Sequence, residues 1–425
     1  MSRKRGVYIH IPFCVKKCNY CAFLSFPAGQ DLKSNYVGAL VKEIGLRARI
    51  AGCNNVKPEI DTIYIGGGTP SVLDAPQMRD IMAAIEKSFE IKPDAEITIE
   101  ANPGTLGADD CEISSKLAAY KEMGFNRLSM GVQSMDDERL KFLGRIHSAE
   151  EVERDVKLAR EAGFDNINLD LIFSVPGEST EDALSDAKKI IALGPEHISC
   201  YSLQIEEETP LAEQVEKGIL TEVPDEEDRE TYHKVCALIK DAGYEHYEIS
   251  NFAKSQDAGA FSESTKDKSP YRSRHNSLYW DMSDYIACGL GASGFINGLR
   301  YKNISDIDEY MHSITDNNTL PTKEEYENLP FDNISEAVFT GLRRREGITY
   351  EEACLAYARN DSEDNSTLSA DTSYDERKIF WDVFADAKEE AAEFVRQGFL
   401  IIDEKGLRLT ELGIDISNQI MALFV

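Results

Sequence analysis

The sequence predicts an α/β fold in which a parallel sheet is either closed into a barrel or open and doubly wound. Six apolar runs with the length of buried strands occur in the first half of the chain, and amphipathic helical segments separate them. Six such βα units in a row imply right-handed crossovers between parallel strands. The 425 residues, of which 42% are hydrophobic, provide material for roughly two to three domains.

Functional residues of such folds gather beyond the carboxyl ends of the strands. The predicted strands begin at Val7 (VYIHIPF), Thr62 (TIYIGG), Glu96 (EITIEA), Asn126 (NRLSMGVQ), Asn166 (NINLDLIFS) and His197 (HISCYSLQI). Apolar residues share one helical face at Tyr36, Val37, Leu40, Val41 and Ile44, and again at Tyr232, Val235, Cys236 and Ile239. Unusual residues follow the strands in order: the cysteine cluster, GGGTPS, Glu100 with Asn102, Gln133 and, within the fifth strand, Asp170.

The charge balance disfavours some classes of function. The chain carries 76 acidic and 46 basic residues, a formal net charge of −30, which opposes binding to nucleic acid or anionic lipid. No window approaches the roughly 18 to 20 apolar residues of a membrane helix. His10 and Pro12 interrupt the amino-terminal apolar run and no cleavage site follows, so we expect a cytoplasmic protein without nucleic-acid partners.

The second half contains two polar segments and a terminal module. Residues 253–274 and 359–376 are rich in Ser, Asp, Asn and Lys and are predicted to be solvated loops. A helical segment at 378–397, two apolar runs around the Lys405-Gly406 turn and a helix from Glu411 predict a winged-helix-like module. The net acidity indicates that this module packs against protein and does not read DNA.

Three of the nine cysteines, Cys14, Cys18 and Cys21, form a C-x3-C-x2-C motif. In a large chain without an export signal, such a cluster indicates a metal or redox site. Three thiolates on one loop are able to bind three irons of a cubane iron-sulfur cluster and leave one iron open. One alternative is a zinc site completed by His10 or a distant cysteine, although a second C-x2-C pair is missing. The other is burial in the core, which we expect for the cysteines at 200, 236 and 288.

The string CVKKCNYC resembles the signature of the radical S-adenosylmethionine (SAM) superfamily. In order and spacing, YIHIPFC, YIGGGTPS, EANP, SMGVQSMDDERLKFLGRIH and NINLDLIFSVPGES resemble the oxygen-independent coproporphyrinogen III oxidase group. The resemblance covers most of the chain outside the two polar segments. It implies a partial (β/α)6 TIM-type radical SAM barrel at 1–245, a connecting region at 246–325 and a C-terminal α+β winged-helix-like domain at 326–425.

The resemblance also implies the cofactors and their ligands. Cys14, Cys18 and Cys21 would bind three irons of a 4Fe-4S cluster, SAM would chelate the fourth, and reduction would release a 5′-deoxyadenosyl radical. The matching positions are Tyr8 and Tyr20 near the cluster, the loop Gly67, Gly68 and Thr69, and Glu100, Gln133, Arg145 and Asp170 around SAM. Each of these features also has a simpler interpretation when it is taken singly. The glycine loop also fits a tight turn, Glu100 and Asp170 also fit solvated strand ends or helix caps, and Arg145 also fits a surface position.

The segment RHNSLYW, Arg274 to Trp280, resembles the HNxxYW motif of the haem-chaperone (HemW) branch of this group, as does GYEHYEISNFAK upstream of it. The resemblance implies that His275, Asn276, Tyr279 and Trp280 contact haem, with His275 as an axial iron ligand and the aromatic rings against the macrocycle. From spacing alone, the alternative is that His275 caps a turn and that the aromatic residues fill the core.

Two absences favour the chaperone branch over the decarboxylases. Phe23 stands where the decarboxylases have a further cysteine, and only thirteen residues precede Cys14. Ala22 and Ser174 depart from residues common in relatives, which affects details of the cluster surroundings.

We therefore expect a radical SAM haem chaperone that delivers haem to a membrane respiratory haemoprotein through a transient contact and need not be an enzyme. The alternative is an oxygen-independent coproporphyrinogen III oxidase, which decarboxylates two propionates to vinyl groups. A third hypothesis treats the cysteines as a zinc-stabilised loop of an interaction protein.

Overall fold

The computed structural model describes residues 4–52, 56–255, 268–359 and 375–425. Segments 256–267 and 360–374, which hold most of the two predicted polar loops, and Cys53 lie outside the described residues. All six predicted strands are confirmed, and they pair in parallel in sequence order. They are β1 (Arg5–Ile11), β2 (Glu59–Gly67), β3 (Glu90–Ala101), β4 (Arg127–Gln133), β5 (Ile167–Phe173) and β6 (His197–Ser202).

Helices connect these strands along one face of the sheet. They are α1 (Gln30–Ala51), α2 (Ala75–Ser88), α3 (Asp110–Glu122), α4 (Asp137–Phe142), α5 (Ala149–Glu161), α6 (Thr180–Ala192), α7 (Pro210–Glu216) and α8 (Asp225–Asp241), with a short 3-10 helix at Pro70–Val72. Helices α2, α5 and α6 begin with capping boxes. In each, the N-cap side chain accepts a hydrogen bond from the backbone amide of residue N3, and the N3 side chain accepts one from the N-cap backbone amide. In the described part of the chain, no helix combines the length and apolarity that crossing a bilayer requires.

Further strands extend the sheet on both sides. The elements are β7 (Tyr244–Glu248), β8 (Asn251–Lys254), α9 (Arg274–Trp280), β9 (Asp284–Cys288), β10 (Ser293–Ile296), β11 (Leu299–Asn303), α10 (Ile307–Thr315) and β12 (Thr322–Glu327). Strand β9 pairs in parallel with β1, which gives the order β12-β11-β10-β9-β1-β2-β3-β4-β5-β6-β8-β7 among the described strands. Because β12 and β7 do not pair with each other, the sheet is a partial barrel with two edges.

The carboxyl-terminal part is helical with a small antiparallel sheet. It comprises α11 (Pro330–Gly341), β13 (Ile348–Thr349), α12 (Tyr350–Tyr357), α13 (Glu376–Val383), α14 (Lys388–Arg396), β14 (Leu400–Ile402), β15 (Gly406–Leu409), α15 (Glu411–Asp415), α16 (Ser417–Met421) and a 3-10 helix at Ala422–Phe424. The predicted hairpin around Lys405-Gly406 is confirmed as β14 and β15. This part contacts the barrel, since Lys240 Nζ lies 2.7 Å from Glu411 Oε1.

One predicted helix is wrong in its extent. The segment 378–397 is two helices, α13 and α14, separated by a turn at 384–387. The break lets Phe384 leave the helical path and place its ring 5.2 Å from Phe424 and 5.0 Å from Phe380. Burial of these three rings in the core offsets the helical hydrogen bonds lost at the turn.

The first six strands divide apolar and polar side chains between the two faces of the sheet. Val7, Ile9, Ile63, Ile65 and Leu128 are fully buried on the outer face, against the helices. The inner face alternates with them and is polar, as the hydrogen bond from Asn168 Nδ2 to Ser129 Oγ across two strands illustrates. Cys200, Cys236 and Cys288 are buried in the apolar core, as predicted.

Candidate functional site

The three clustered cysteines lie on a loop that follows β1 and is held by backbone hydrogen bonds. The Cys14 amide donates to Phe26 O at 3.1 Å, and the Asn19 amide donates to Leu143 O at 2.9 Å beyond α4. The Asn19 side chain adds a 2.7 Å bond to Phe142 O. All three thiols are partly exposed at the carboxyl end of the strands, so the structure places the motif at the expected edge of the sheet.

Side chains from two other elements contact the cysteine sulfurs. Thr69 Oγ1 lies 3.5 Å from Cys14 Sγ, and Arg145 Nη1 lies 3.4 Å from Cys18 Sγ. Burial raises the pKa of the Cys21 thiol, so a bound metal would have to displace its proton. Hydrogen bonds and a cation beside the sulfurs fit a cluster held by thiolates.

The arrangement of the possible metal ligands fits a cluster, in which each thiolate binds a different iron, better than a site for a single metal ion. Among residues 4–52, 56–255, 268–359 and 375–425, no three His, Cys, Asp or Glu side chains converge on a point where one metal ion would bind. His10, one of the two ligands that could complete the zinc alternative, bonds elsewhere: Nδ1 pairs with Tyr8 Oη at 3.0 Å and Nε2 with Leu24 O at 3.0 Å. In a cubane cluster each of the three thiolates binds its own iron, so convergence on one point is not needed.

The glycine loop after β2 contacts the cysteine loop directly. The Gly68 amide donates to Ile11 O and the Thr69 amide to Phe13 O, both at 2.8 Å. A Cβ at Gly68 would lie 2.8 Å from Phe13 O, and a Cβ at Gly67, whose φ is +111°, would lie 2.5 Å from the His10 ring. Glycine is therefore required here for a close approach between two parts of the chain as well as for the expected approach of a cofactor.

Glu100 at the end of β3 is fixed by two donors. Its Oε1 accepts from the Tyr64 hydroxyl at 2.6 Å and its Oε2 accepts from the Gly67 amide at 3.0 Å. Burial raises the pKa of this carboxyl to about 7. The reading of Glu100 as a solvated strand end is therefore wrong, and its carboxylate is positioned beside the glycine loop.

Arg145 joins the cysteine loop to the ends of β3 and β4. Its Nη2 donates to Asn102 Oδ1 at 2.6 Å and to Gly131 O at 2.5 Å, and Asn102 Nδ2 in turn donates to Thr69 Oγ1 at 2.9 Å. A surface position for Arg145 is thus wrong. Gln133, in the left-handed region at φ +73°, is buried at the same end of β4.

The remaining predicted residues of the cluster end are also brought together. Tyr20 packs against a small apolar cluster formed by Leu143, Ile172 and Val175. Asp170 lies on the inner face, where Asn168 Nδ2 donates to it at 2.7 Å and burial raises the pKa of its carboxyl. Tyr8 lies on β1 opposite Tyr64 of β2.

The HNxxYW segment forms α9 and lies at the opposite end of the strands. Its first amides are capped by Glu96 of β3, whose carboxylate accepts from Arg274 N at 3.0 Å and from His275 N at 2.9 Å. Ser273, and not His275, supplies the N-cap side chain. The structure therefore separates this motif from the cysteines, although the inner face of the sheet connects them.

His275 is buried, with 1% of its surface exposed, and both ring nitrogens are hydrogen-bonded. Nδ1 lies 2.7 Å from Thr62 Oγ1 and Nε2 lies 2.9 Å from the Tyr279 hydroxyl. The ring stacks on Tyr64 with centroids 5.1 Å apart. Burial, with the Arg127 charge second, lowers the pKa of His275 to about 3, so its imidazole is neutral.

Of the other motif residues, Trp280 lines a cavity, whereas Asn276 and Tyr279 do not. Tyr279 packs edge-on against Tyr285 at 4.7 Å, and Arg343 lies over the Trp280 ring at 4.6 Å. The Trp280 indole nitrogen is buried without a partner among the described residues. Asn276 donates its amide to Ser273 Oγ at 3.3 Å. A cavity of about 240 Å³ next to α9 is lined by Thr62, Tyr247, Arg272, Leu278, Trp280 and Arg344, among others.

Sequence reasoning missed several residues of this region. Thr62, Tyr64, Glu96 and Arg127 were read as parts of strands, and their roles follow from neighbours distant in the chain. The sequence signal that could have found them is the alternation of apolar and polar residues along each strand, because the polar positions lie on the inner face of the sheet.

The fold and this site define a radical SAM protein. The sequence model of the Radical SAM superfamily matches residues 8–190, which include both loops and Glu100. The fold is also that of a solved structure, "Coproporphyrinogen III oxidase (HemN) from Escherichia coli", with a TM-score of 0.79, 23% identity, and coverage of 99% of this chain and 90% of that chain. Membership of this superfamily implies a 4Fe-4S cluster and SAM, and so favours the cluster over the zinc alternative.

Two curated relatives are both called "Heme chaperone HemW". The protein of Bacillus subtilis is 34% identical over 84% of this chain and 88% of its own length. The protein of Escherichia coli is 38% identical over 68% of this chain and 69% of its own length. The chain belongs to the HemW family within the radical SAM superfamily.

Proposed function

We propose that this protein binds haem at α9 and transfers it to a recipient haemoprotein, while a cluster and SAM occupy the opposite end of the sheet. The names of its relatives support this function. The observation that carries it is the position of His275 on the HNxxYW helix: its ring bonds to Thr62, which lines the cavity, and burial keeps its imidazole neutral by lowering its pKa. A neutral imidazole nitrogen is a good ligand for haem iron.

Ligation by His275 requires the exchange of one hydrogen bond. Tyr279 is one helical turn from His275 on α9, so a rotation of the Tyr279 side chain would free Nε2 while Thr62 keeps Nδ1. The Trp280 ring and Leu278 line the adjoining cavity and offer apolar surface to a macrocycle. The cavity of about 240 Å³ is smaller than a typical ligand pocket of roughly 300 to 1,000 Å³, so haem would enter it by one edge.

The test is a haem titration of anaerobically reconstituted protein, followed by its absorption spectrum. We expect His275→Ala to weaken haem binding by about tenfold or more, or to change the ligand-field bands, because the axial ligand is lost. His197→Ala is the matched control, since His197 is also buried on the inner face with both nitrogens bonded, to Asn168 and Tyr247. Identical spectra and affinities for wild type and His275→Ala would argue against His275 as ligand.

At the other end, the chain's residues would hold the cluster and SAM. Cys14, Cys18 and Cys21 would bind three irons. When bound and reduced, the cluster supplies an electron to the sulfonium of SAM. Glu100 offers a carboxylate that would accept N–H groups of the SAM amine, and Gln133, Arg145 and Asp170 offer polar atoms for the rest of the ligand.

The enzymatic alternative is tested in the same sample. Coproporphyrinogen III is added with SAM and a reductant, and protoporphyrinogen is measured under anaerobic conditions. We expect haem binding without turnover of this substrate. Catalytic formation of protoporphyrinogen would replace the chaperone assignment with the decarboxylase.

The recipient in this proposal is a membrane haemoprotein of the respiratory chain, met in a transient contact. Transfer of bound haem from the purified protein to an apo-haemoprotein of that class, followed by the shift of the haem spectrum, tests this step. No transfer to any such acceptor, with haem binding intact, would leave a haem-binding protein without chaperone function.

A further inference from the structure

Arg127, the first residue of β4, is a buried arginine that has no hydrogen bond or ion pair from its side chain to any residue the structure describes. It is 2% exposed and belongs to the largest fully buried side chains of the protein. Within the described ranges its guanidinium forms no ion pair and no hydrogen bond, and its Nε is buried without an acceptor. Arginine stays protonated in proteins, so the charge remains.

The acids near Arg127 on the inner face are bound to other donors. Glu100 accepts from Tyr64 and Gly67. Both oxygens of Glu96 accept backbone amides of α9. Asp170 accepts from Asn168. The Arg127 charge acts on Glu100 and Asp170 from beyond ion-pair distance, so within the described ranges no carboxylate is in direct contact with its guanidinium.

A buried charge without a partner carries a large free-energy cost, which folding alone gives no reason to retain. The planar fork of a guanidinium is matched by the two oxygens of a carboxylate. The group that would satisfy Arg127 is therefore a carboxylate that arrives with a ligand.

The position of Arg127 decides between the two ligands of the proposed function. Arg127 and Gln133 are the two ends of β4, and six residues of strand span about 20 Å. In the proposed function, the carboxylate of SAM would lie at the Gln133 end, on the side of Arg145. Arg127 belongs to the α9 end, where its charge acts on His275 and His197.

The cavity beside α9 reaches toward the same layer of side chains. Thr62 and Tyr247 line the cavity. On their other side, Thr62 bonds to His275 and Tyr247 bonds to His197 at 2.8 Å. A ligand that reaches His275 from the cavity would therefore also approach Arg127.

Resting on the proposed function, we propose that Arg127 is a binding residue for a propionate carboxylate of haem. The two arginines on the cavity wall beside Tyr247 and Trp280 are less suited, because both are already paired. Arg272 is bonded to Glu245 and Glu346, and Arg344 to Asp281 and Glu352.

The experiment compares haem with its dimethyl ester, in which both carboxylates are blocked, on anaerobically reconstituted full-length protein. We expect wild type to bind the free acid about tenfold or more tightly than the diester, because one charge-assisted bidentate hydrogen bond between the guanidinium and a propionate has about this effect. Arg127→Gln should abolish most of this preference and leave the affinity for the diester within about threefold of wild type. Arg272→Gln, the matched control, should keep the preference.

Equal loss of affinity for both ligands in Arg127→Gln would mean a structural role and would overturn the proposal. A preference retained in Arg127→Gln, or lost in Arg272→Gln, would overturn it as well, with haem binding intact. Absence of haem binding in wild type would instead overturn the proposed function together with this inference. If Arg127→Gln does not fold, Arg127→Lys replaces it. The preference for the free acid should then fall without being lost, because lysine keeps the positive charge but cannot form the bidentate hydrogen bonds of a guanidinium.

Discussion

The Tyr64 hydroxyl donates a 2.6 Å hydrogen bond to Glu100, and this bond links the two ends of the inner face. On its other side the Tyr64 ring stacks on His275 at 5.1 Å. Glu100 in turn accepts the Gly67 amide of the glycine loop. One aromatic side chain thus contacts the proposed haem ligand and orients the carboxylate proposed for SAM.

Removing that hydroxyl should weaken SAM binding. In Tyr64→Phe, Glu100 loses a donor that favours its ionised form, and we expect SAM affinity to fall by about tenfold, or roughly 1.4 kcal/mol. Equilibrium dialysis of reconstituted protein measures it. Tyr120→Phe is the control, since the Tyr120 hydroxyl is buried without a partner among the described residues. An unchanged affinity in Tyr64→Phe would show that Glu100 does not depend on Tyr64.

SAM affinity should depend on the ionisation of Glu100. Because burial raises the pKa of this carboxyl to about 7, it is protonated below and ionised above that pH. An ionised carboxylate accepts the N–H groups of the ligand's amine, and that amine must be unprotonated to chelate iron, so affinity should rise through about pH 7 as Glu100 ionises and rise further near pH 8, where the amine loses its proton. In Glu100→Gln the rise on the acid side should vanish; a rise that persists would assign it to another group.

The same carboxyl makes folding stability depend on pH. Its pKa in the folded protein lies above the ordinary glutamate value of 4.5, so between pH 4.5 and about 7 the folded state holds a proton that the unfolded state has lost. Stability from this group therefore decreases as pH rises across that window and is level above it. Other buried carboxyls with a raised pKa, such as Glu178 and Asp170, give the same trend, so denaturant unfolding at several pH values should show a steeper decrease in wild type than in Glu100→Gln.

A methyl group at Gly68 should disrupt the contact between the two loops. The added Cβ meets backbone oxygens of Phe13 and Ile11 within 2.9 Å, and backbone cannot rotate away. We expect Gly68→Ala to lose about 1–3 kcal/mol of stability and most of its reconstituted iron and sulfide. Gly45→Ala in α1, where nothing lies within 4 Å, should be neutral or slightly stabilising. Full cluster loading of Gly68→Ala would contradict this account.

Glu96 should control access to His275. Glu96→Ala removes the acceptor of two α9 amides, for which we expect a loss of about 1.5–3 kcal/mol and faster hydrogen exchange across residues 274–280. The control is Glu59→Ala, because Glu59 is exposed and its 3.9 Å pair with Lys92 contributes little. Unchanged exchange in Glu96→Ala would mean that α9 is held mainly by its side-chain packing.

The cluster itself should depend on three cysteines and no others of those described. Single Ala substitutions at Cys14, Cys18 or Cys21 should remove most of the labile sulfide and the visible absorption of the reconstituted protein. Cys111→Ala should retain both, since Cys111 is exposed on α3. Zinc bound by wild type, without sulfide, would restore the interaction-protein hypothesis.

Local patterns were enough to predict the strands and the cluster end of the site. Apolar runs marked β1 to β6, and contiguous motifs marked the cysteines and the glycine loop, because each of these features lies within a short stretch of chain. The surroundings of His275 were not predictable in this way, since Glu96 is 179 residues from it in the sequence. The break between α13 and α14 likewise reflects the packing of Phe384 on Phe424. The domain limits at 245 and 325 stay predictions.

Strand β12 illustrates how an unclosed sheet avoids self-association. Its sequence, Thr322 to Glu327, is largely exposed and places Glu324, Glu325 and Glu327 along an outermost strand. Two molecules that tried to pair through these strands would bring acidic rows together, and a chain with a formal charge of −30 adds to the repulsion. Neutralising that row would therefore be expected to favour intermolecular β-pairing and aggregation, with no effect on cofactor chemistry.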